Sequence, residues 1–256
     1  MSTYLWQNFL TDSTIRHRIA DKAQDFCTKN NCKTLIEIWP WKWLITKLIL
    51  NIFQDFVLFE KDETLKEVLE DVISKKENWT AKIIRWDVLD WDLEQFEWRK
   101  DQTFVVGNLP YYITSPILRK FFWSGKGEFA GGLFMVQDEV WQKLRFDANK
   151  KSYLYRILNY AYEIQYLKTV HAKAFSPVPK VKSCLIWLIK KDKVPNIPFD
   201  ELIKFLDLFS PYSRKTLWKI SKIINKKWGS FVIPENLSNK RLEELDWNLL
   251  EEIFIA

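Results

Sequence analysis

Thr34-Leu-Ile-Glu-Ile38 is an apolar stretch typical of a short buried strand, and it runs directly into Trp39-Pro-Trp-Lys-Trp43. The apolar spacing that follows predicts a helix over 44–53. A second apolar strand, Phe56-Val-Leu-Phe-Glu60, comes next and ends on an acidic residue. Because strands that alternate with helices usually pair in parallel, this unit predicts a doubly wound α/β sheet.

The alternation continues on both sides of this unit. Before it, apolar residues at helical spacing from Ile15 to Phe26 follow a candidate N-cap at Asp12. After it, we predict helices over 63–74 and 116–122 and strands over 81–84, 103–107, 133–136, 163–169 and 183–189. Residues 1–192 are therefore expected to form a mostly parallel, Rossmann-like sheet. A Pro-containing linker at 194–198 leads into a helical pattern, so residues 193–256 are expected to form a small all-helical domain.

The composition is that of a soluble globular protein, with 47% hydrophobic and 28% charged residues in a chain of 256. No apolar run reaches the roughly 18–20 residues that span a bilayer, and the N-terminal sequence lacks the layout of a signal peptide. We therefore expect a cytoplasmic protein without membrane contact. Cys27, Cys32 and Cys184 show no paired spacing, which predicts free thiols and no metal site.

Positive charge is concentrated near the C-terminus. The net charge is +6, and residues 204–227 carry seven basic side chains against the single acid Asp207. Lysines recur on one face of the predicted helix, and apolar residues occupy another. A solvated face is the ordinary explanation of such a pattern, and contact with nucleic-acid phosphates is the alternative.

The counts of two residue types are abnormal. The chain has 14 Trp and 6 Gly, whereas a typical protein of this length has roughly 18 Gly. A sheet protein with many turns needs more glycine than this, because several turn types require a positive φ.

Chemistry-bearing residues follow four of the predicted strands. In an open parallel sheet, ligands bind at the carboxyl ends of the strands. The first strand ends in the Trp39–Trp43 loop, the next two are followed by Glu60 and Asp87, and the fourth ends in Asn108-Leu-Pro-Tyr111. An acid about 20 residues past the first loop is placed to bind the hydroxyls of a ribose. For Glu60 alone a solvated strand end is the favoured explanation, but four such ends together favour a ligand site.

The Asn108–Tyr111 motif is the most specific of the four. A nucleic-base amine is a poor nucleophile, so a site that methylates it needs acceptors for the amine hydrogens and an aromatic surface for the base. Asn108 offers a side-chain carbonyl, and Leu109 offers a backbone carbonyl that Pro110 holds rigid. Tyr111 offers a stacking face. A plain β-turn is the alternative.

With these motifs the chain resembles the small-subunit rRNA adenine N6,N6-dimethyltransferases over almost its whole length. The further matching stretches are Gln7-Asn-Phe-Leu10, Ile36-Glu-Ile38, Val136-Gln-Asp-Glu-Val140, Phe175-Ser-Pro-Val-Pro-Lys-Val-Lys-Ser183 and Ser213-Arg-Lys-Thr-Leu217. The resemblance implies a Rossmann-like methyltransferase with S-adenosylmethionine as cofactor. It also implies a substrate, two adjacent adenines in a hairpin loop of small-subunit rRNA within the immature subunit, and a monomeric enzyme.

The resemblance also implies roles for individual residues. Glu60 binds the ribose of the cofactor, Asp87 binds its adenine, and Asn108 lies by the transferred methyl group. Tyr111 and Phe175 sandwich the target adenine. The remaining cofactor contacts are expected from Gln7, Asn8, Leu10, Trp39 and Trp41, and the RNA contacts from Arg214, Lys215, Lys219, Lys222 and Lys226.

The chain departs from the family pattern in one systematic way. Tryptophan stands where the family has glycine, at Trp6, at Trp39, Trp41 and Trp43, and at Trp86. Glycine is required in such a loop because the backbone approaches the ligand closely. Random change would bring many residue types, so we hypothesise that UGA codons read as glycine are written here as Trp. If the indoles are real, the alternative is a non-catalytic RNA-binding assembly factor. A large-subunit rRNA methylase of the macrolide-resistance type is the other alternative.

Overall fold

The computed structural model describes residues 9–40, 48, 53–65, 67, 70–71, 74, 80–96, 98–123, 125, 127–145, 151–228 and 231–255. Of the predicted helix over 44–53, only residues 48 and 53 are described. In the predicted helix over 63–74, residues 67, 70, 71 and 74 are described and helical. Within the described part of the second, Glu63–Leu65 forms a turn of 3-10 helix.

Seven strands form one sheet, and two short strands form a separate pair. The strands are β1 (Phe9–Leu10), β2 (Thr34–Ile38), β3 (Asp55–Phe59), β4 (Thr80–Ile84), β5 (Thr103–Asn108), β6 (Gly131–Gln137), β7 (Tyr162–Val170), β8 (Phe175–Ser176) and β9 (Ser183–Lys190). The order in the sheet is β4-β3-β2-β5-β6-β9-β7. Strands β2 to β6 pair in parallel, whereas β9 is antiparallel to both of its neighbours. The order reverses at β2, which places the topological switch beside the first loop.

The described helices lie on both sides of the sheet and in the C-terminal region. They are α1 (Ser13–Asn30), α2 (Thr114–Phe122), α3 (Asp138–Leu144), α4 (Tyr153–Ala161), α5 (Phe199–Phe209), α6 (Leu217–Trp228) and α7 (Trp247–Ile255). The predicted N-cap is confirmed, because the Asp12 carboxylate accepts a hydrogen bond of 3.1 Å from the Ile15 amide. Asn31 ends α1 in the left-handed conformation, with φ 50°.

Alternate residues of the strands build two buried clusters, one on each face of the sheet. Leu35 and Phe56 belong to a cluster with α1, whereas Ile36 and Val57 belong to a cluster with α2 and α4. The second cluster continues without interruption into the buried residues of α5, α6 and α7. The predicted α/β sheet with a helical C-terminal region is therefore confirmed. The boundary between residues 192 and 193 stays a prediction.

Sequence reasoning missed α3, α4 and the β1–β8 pair. Helix α4 is buried on nearly every side, so it lacks the polar face that makes a helical period visible. The two-residue strands carry no period at all. None of the helices in the described part of the chain is both long and apolar enough to cross a bilayer.

Candidate functional site

Parallel pairing brings the predicted strand ends to one edge of the sheet. Ile38 at the end of β2 pairs with Phe59 on one side and with Gly107 on the other. The chain continues this register beyond the strands, because the Trp39 amide donates to the Phe59 carbonyl at 3.0 Å and the Glu60 amide donates to the Ile84 carbonyl at 3.2 Å. The first loop, the two acids and the Asn108 turn therefore follow adjacent strands, as predicted.

Glu60 is buried at this edge, with 3% of its surface exposed. Its Oε1 accepts a hydrogen bond of 2.9 Å from the Asp62 amide. Burial raises the pKa of Glu60 to about 7, although the Asp62 and Lys61 amides oppose this shift. The interpretation of Glu60 as a solvated strand end is therefore wrong. The carboxyl is sheltered from water, so a hydrogen bond that it accepts meets little competition from solvent.

Asp87 lies after β4 and is oriented by two contacts. Its Oδ1 accepts from the Leu89 amide at 3.0 Å. Its Oδ2 lies 3.3 Å from the Lys61 ammonium, and a quarter of the Asp87 side chain is exposed. The carboxylate is thus fixed in direction but open to a ligand. Sequence reasoning missed Lys61, and its only signal in the sequence is its position directly after Glu60.

The Asn108 turn is held by a close approach and by hydrogen bonds. A Cβ on Gly107 would lie 3.2 Å from the Ile38 carbonyl oxygen, so glycine lets β5 approach β2 directly before Asn108. The Leu109 amide donates to the Met135 carbonyl at 3.2 Å. The Pro110 carbonyl accepts from the Ile113 amide and the Thr114 hydroxyl, both at 3.1 Å. Asn108 itself is the buried last residue of β5, so its amide is placed by a rigid backbone.

The aromatic residues of the site differ in exposure. Tyr111 begins a turn of 3-10 helix that leads into α2, and its side chain lies outside the described part. Tyr112, next to it, is 71% exposed. The motif thus leads through a turn of 3-10 helix into α2, and its role in binding the target base stays a prediction.

Phe175 and Leu10 are brought together by the β1–β8 pair, in which they lie opposite each other. This contact joins the N-terminal segment to the Phe175–Ser183 segment, 165 residues later in the chain. Phe175 is only 3% exposed and belongs to the cluster around α1. Gln7 and Asn8 lie outside the described residues, so their expected cofactor contacts stay predictions.

A model of the ribosomal RNA adenine dimethylase family matches residues 2–231. The chain belongs to this family. A ribosomal RNA small subunit methyltransferase A from Mycoplasma mycoides is 31% identical over 255 residues, which cover 95% of this chain and 92% of that protein. The chain is therefore a methyltransferase, as its sequence motifs predict.

Two solved structures share the fold at 19% identity. A dimethyladenosine transferase from Plasmodium falciparum has a TM-score of 0.70, with 91% of this chain and 94% of that chain covered. A 23S rRNA methyltransferase, ErmE, has a TM-score of 0.66, with 97% of this chain and 100% of that chain covered. A dimethyladenosine transferase and a 23S rRNA methyltransferase thus have this fold in common, so the fold alone does not identify the RNA substrate.

The family's glycine positions are where the side chains fit a cofactor least well. Trp39 adopts φ 59°, the left-handed conformation that favours glycine, and its indole is 6% exposed. Trp86, before Asp87, is largely exposed, and Trp41 lies outside the described residues. Glu60, Asp87 and Asn108 provide the acceptor set that a nucleoside needs, so they fit a nucleoside-containing cofactor. Trp39 does not, because an indole replaces the bare backbone that a close approach requires.

The basic residues of the C-terminal region lie on the surface, as predicted. All five predicted RNA contacts are exposed, namely Arg214, Lys215, Lys219, Lys222 and Lys226. Leu217, Ile220 and Ile224 form the buried face of α6. The amphipathic helix is therefore confirmed, and its contact with RNA stays a prediction. Within the described ranges, no three His, Cys, Asp or Glu side chains are grouped as around a metal ion.

Proposed function

We propose that this enzyme transfers methyl groups from S-adenosylmethionine to N6 of two adjacent adenines in small-subunit rRNA. The observation that carries the proposal is the rigid Asn108 turn, one strand away from β2 and on the same edge as the buried Glu60. An amide acceptor and a sheltered ribose acceptor at one edge suit a reaction between a base amine and a nucleoside cofactor. Relatives named for the small subunit support this choice of substrate.

The cofactor contacts in this proposal come from the strand ends. Glu60 accepts hydrogen bonds from the ribose hydroxyls, and Asp87 accepts one from the adenine amine. Bound there, the cofactor supplies a methyl group on a positively charged sulfur, so no metal or strong general base is required. Leu10 and the first loop line the rest of the site.

The target adenine is held by the Asn108 turn. The Asn108 side-chain carbonyl and the Leu109 backbone carbonyl accept from the N6 hydrogens, which turns the nitrogen lone pair toward the methyl group. The base leaves its stack to reach this edge. Tyr111 offers one stacking face. Stacking on Phe175 requires its ring to become more exposed than its present 3%, so the β1–β8 pair must shift when the base enters.

The decisive experiment compares substrates. Protein with glycine at Trp39, Trp41 and Trp43 is incubated with labelled cofactor and with either immature small subunits or large-subunit rRNA. We expect label only in the small subunit, at adenine N6. Label in the large-subunit RNA instead supports the macrolide-resistance type of methylase. Calorimetry without detectable cofactor binding supports the non-catalytic assembly factor.

The proposal includes a monomeric, cytoplasmic enzyme without a metal, made of a methyltransferase domain (1–192) and a helical domain (193–256) that contacts RNA. The exposed basic residues around α6 support the last of these roles, since they present several cations on one face. Sedimentation of the purified protein tests the monomer directly.

A further inference from the structure

A cavity of about 420 Å³ lies where the sheet region meets the C-terminal helices. One wall comes from the end of α3 and the start of α4. The other comes from the turn after α5 and from the 3-10 helix Leu242–Glu244. The lining residues that matter here are Lys143, Lys151, Arg156, Ser210, Ser213 and Glu243.

Arg156 is the unusual member of this lining, because it is a cation with only 2% of its surface exposed. One terminal nitrogen donates to the Leu242 and Leu245 carbonyls, at 2.5 and 3.0 Å. Its Nε is buried and has no acceptor, and no described carboxylate forms an ion pair with it. A buried guanidinium is costly unless an anion or a full set of acceptors accompanies it. Asp246 attracts the guanidinium without forming an ion pair with it, so an anion in the cavity beside Arg156 adds a compensating charge.

The rest of the lining is also positive. Lys143 has a distant partner, since its ammonium lies 3.7 Å from Glu139 and both side chains are mostly exposed, so the pair is weak. Glu243 is the one acid among the described residues of the lining, and Arg241 lies 4.0 Å from it. The cavity thus has an excess of positive charge.

Polar groups that suit an anion complete the lining. Helix α4 begins here, and Ser152 caps it by accepting a hydrogen bond of 3.0 Å from the Tyr155 amide. The positive end of the helix dipole attracts negative charge to this point. Ser210 and Ser213 add hydroxyl donors. A guanidinium, two ammonium groups and hydroxyls around one cavity are the chemistry of phosphate recognition.

Helix α3 connects the cavity with the edge of the sheet that carries Asn108. Helix α3 begins directly after β6, and β6 pairs with β5 such that Met135 lies opposite Asn108. Lys143 is five residues into α3, about 8 Å along the helix from its first residue at about 1.5 Å per residue. An RNA strand with a base at Asn108 therefore has to follow α3 to bring a phosphate to the cavity.

We propose that this cavity binds one backbone phosphate of the RNA substrate and so fixes the strand between the sheet and the C-terminal helices. The identification of the ligand as RNA rests on the proposed function, whereas the binding of a phosphate group by this cavity does not. The phosphate spans the two walls, with Arg156 as the buried anchor and the two lysines at the entrance.

The first arm of the test measures phosphate binding without any methyl transfer. Thermal unfolding is followed in sodium phosphate and in sodium chloride of equal ionic strength. We expect a saturable rise of Tm in phosphate, and its loss in the variant Lys143→Ala/Lys151→Ala. Lys29→Ala, an exposed lysine at the end of α1, is the matched control and should keep the rise. No rise in the wild type, or the same rise in the double variant, overturns the site.

The second arm measures the affinity for a hairpin RNA with two adjacent adenines as a function of salt. The double variant should reduce the slope of log Kd against log salt by about 0.7–0.9, the value for one phosphate contact. An unchanged slope together with a lost Tm effect indicates a site for free phosphate, and overturns the RNA contact. Arg156 is left intact because it also holds Leu242 and Leu245. Both arms measure binding, so a protein without methyl transfer still tests the proposal.

Discussion

The buried carboxyl of Glu60 leads to a specific dependence of stability on pH. Burial raises its pKa from 4.5 to about 7, so the folded protein binds more protons than the unfolded chain between these values. Stability from this residue is present below pH 4.5 and is lost as the pH rises through about 7. The difference between the two pKa values corresponds to about 3 kcal/mol of unfolding free energy. The substitution Glu60→Gln removes this dependence, because an amide has no charge to bury.

Urea unfolding of both proteins, followed by tryptophan fluorescence, measures the effect. From pH 4.5 to about pH 8, the unfolding free energy of Glu60→Gln minus that of the wild type should rise by about 3 kcal/mol. The glutamine oxygen still accepts from the Asp62 amide, so the comparison isolates the charge. Parallel curves over this range refute the argument from burial. Glu201→Gln, on an exposed position of α5, is the control and should show little of this rise.

Three further predictions concern the site and the basic surface. Asn108→Ala should lower methyl transfer by about 10²–10³ while cofactor binding in calorimetry stays within a few-fold, and full activity contradicts the assigned centre. Trp39→Gly/Trp41→Gly/Trp43→Gly should gain cofactor affinity at least tenfold, whereas Trp123→Gly, remote from the site and at φ −86°, should not. In the Trp39→Gly/Trp41→Gly/Trp43→Gly variant, chemical unfolding should show a lower unfolding free energy than the wild type. Removing the buried Trp39 indole costs about 3–5 kcal/mol, and relief of its left-handed backbone conformation returns about 1–2 kcal/mol. Lys219→Ala/Lys222→Ala should reduce the salt slope of RNA binding by about 1–2, and an unchanged slope indicates a merely solvated face.

The position of the candidate site at one edge of the sheet was predictable from the sequence, because the carboxyl ends of parallel strands lie at the same edge. Runs such as 56–59 and 103–107 are apolar on both faces, which is typical of strands covered by helices. Their parallel pairing then places every strand end at one edge, so the loop after Ile38, Glu60, Asp87 and Asn108 come together without any further information. The observed bounds differ from the predicted ones by two residues at most in these strands.

Burial and long-range contacts were not predictable from the sequence. The shelter around Glu60 depends on residues from several elements, and no local pattern encodes it. The β1–β8 pair joins two dipeptides that are far apart in the chain, so only the fold reveals that Leu10 lies opposite Phe175. Arg156 stands among apolar residues of α4, where a sequence pattern indicates a surface position rather than a buried cation.

Two tryptophans have surroundings that are unfavourable for an indole side chain. Trp39 stands at φ 59°, and Trp187 has a buried indole nitrogen without an acceptor. The positive φ is costly for tryptophan and easy for glycine, and glycine at position 187 has no side-chain donor to leave unpaired. Trp247 is different, because its indole donates to the Asn159 side-chain oxygen at 2.9 Å.

The strain is therefore clearest at a family glycine position, which is where a different reading of the codon has the largest consequence. Intact-mass measurement of the protein from its native source decides the question. We expect a mass below that of the 14-tryptophan chain by a whole number of tryptophan-to-glycine differences. Peptide sequencing should find glycine at position 39. A mass that matches all 14 tryptophans refutes the hypothesis, and the strained first loop then favours a protein that has lost its cofactor.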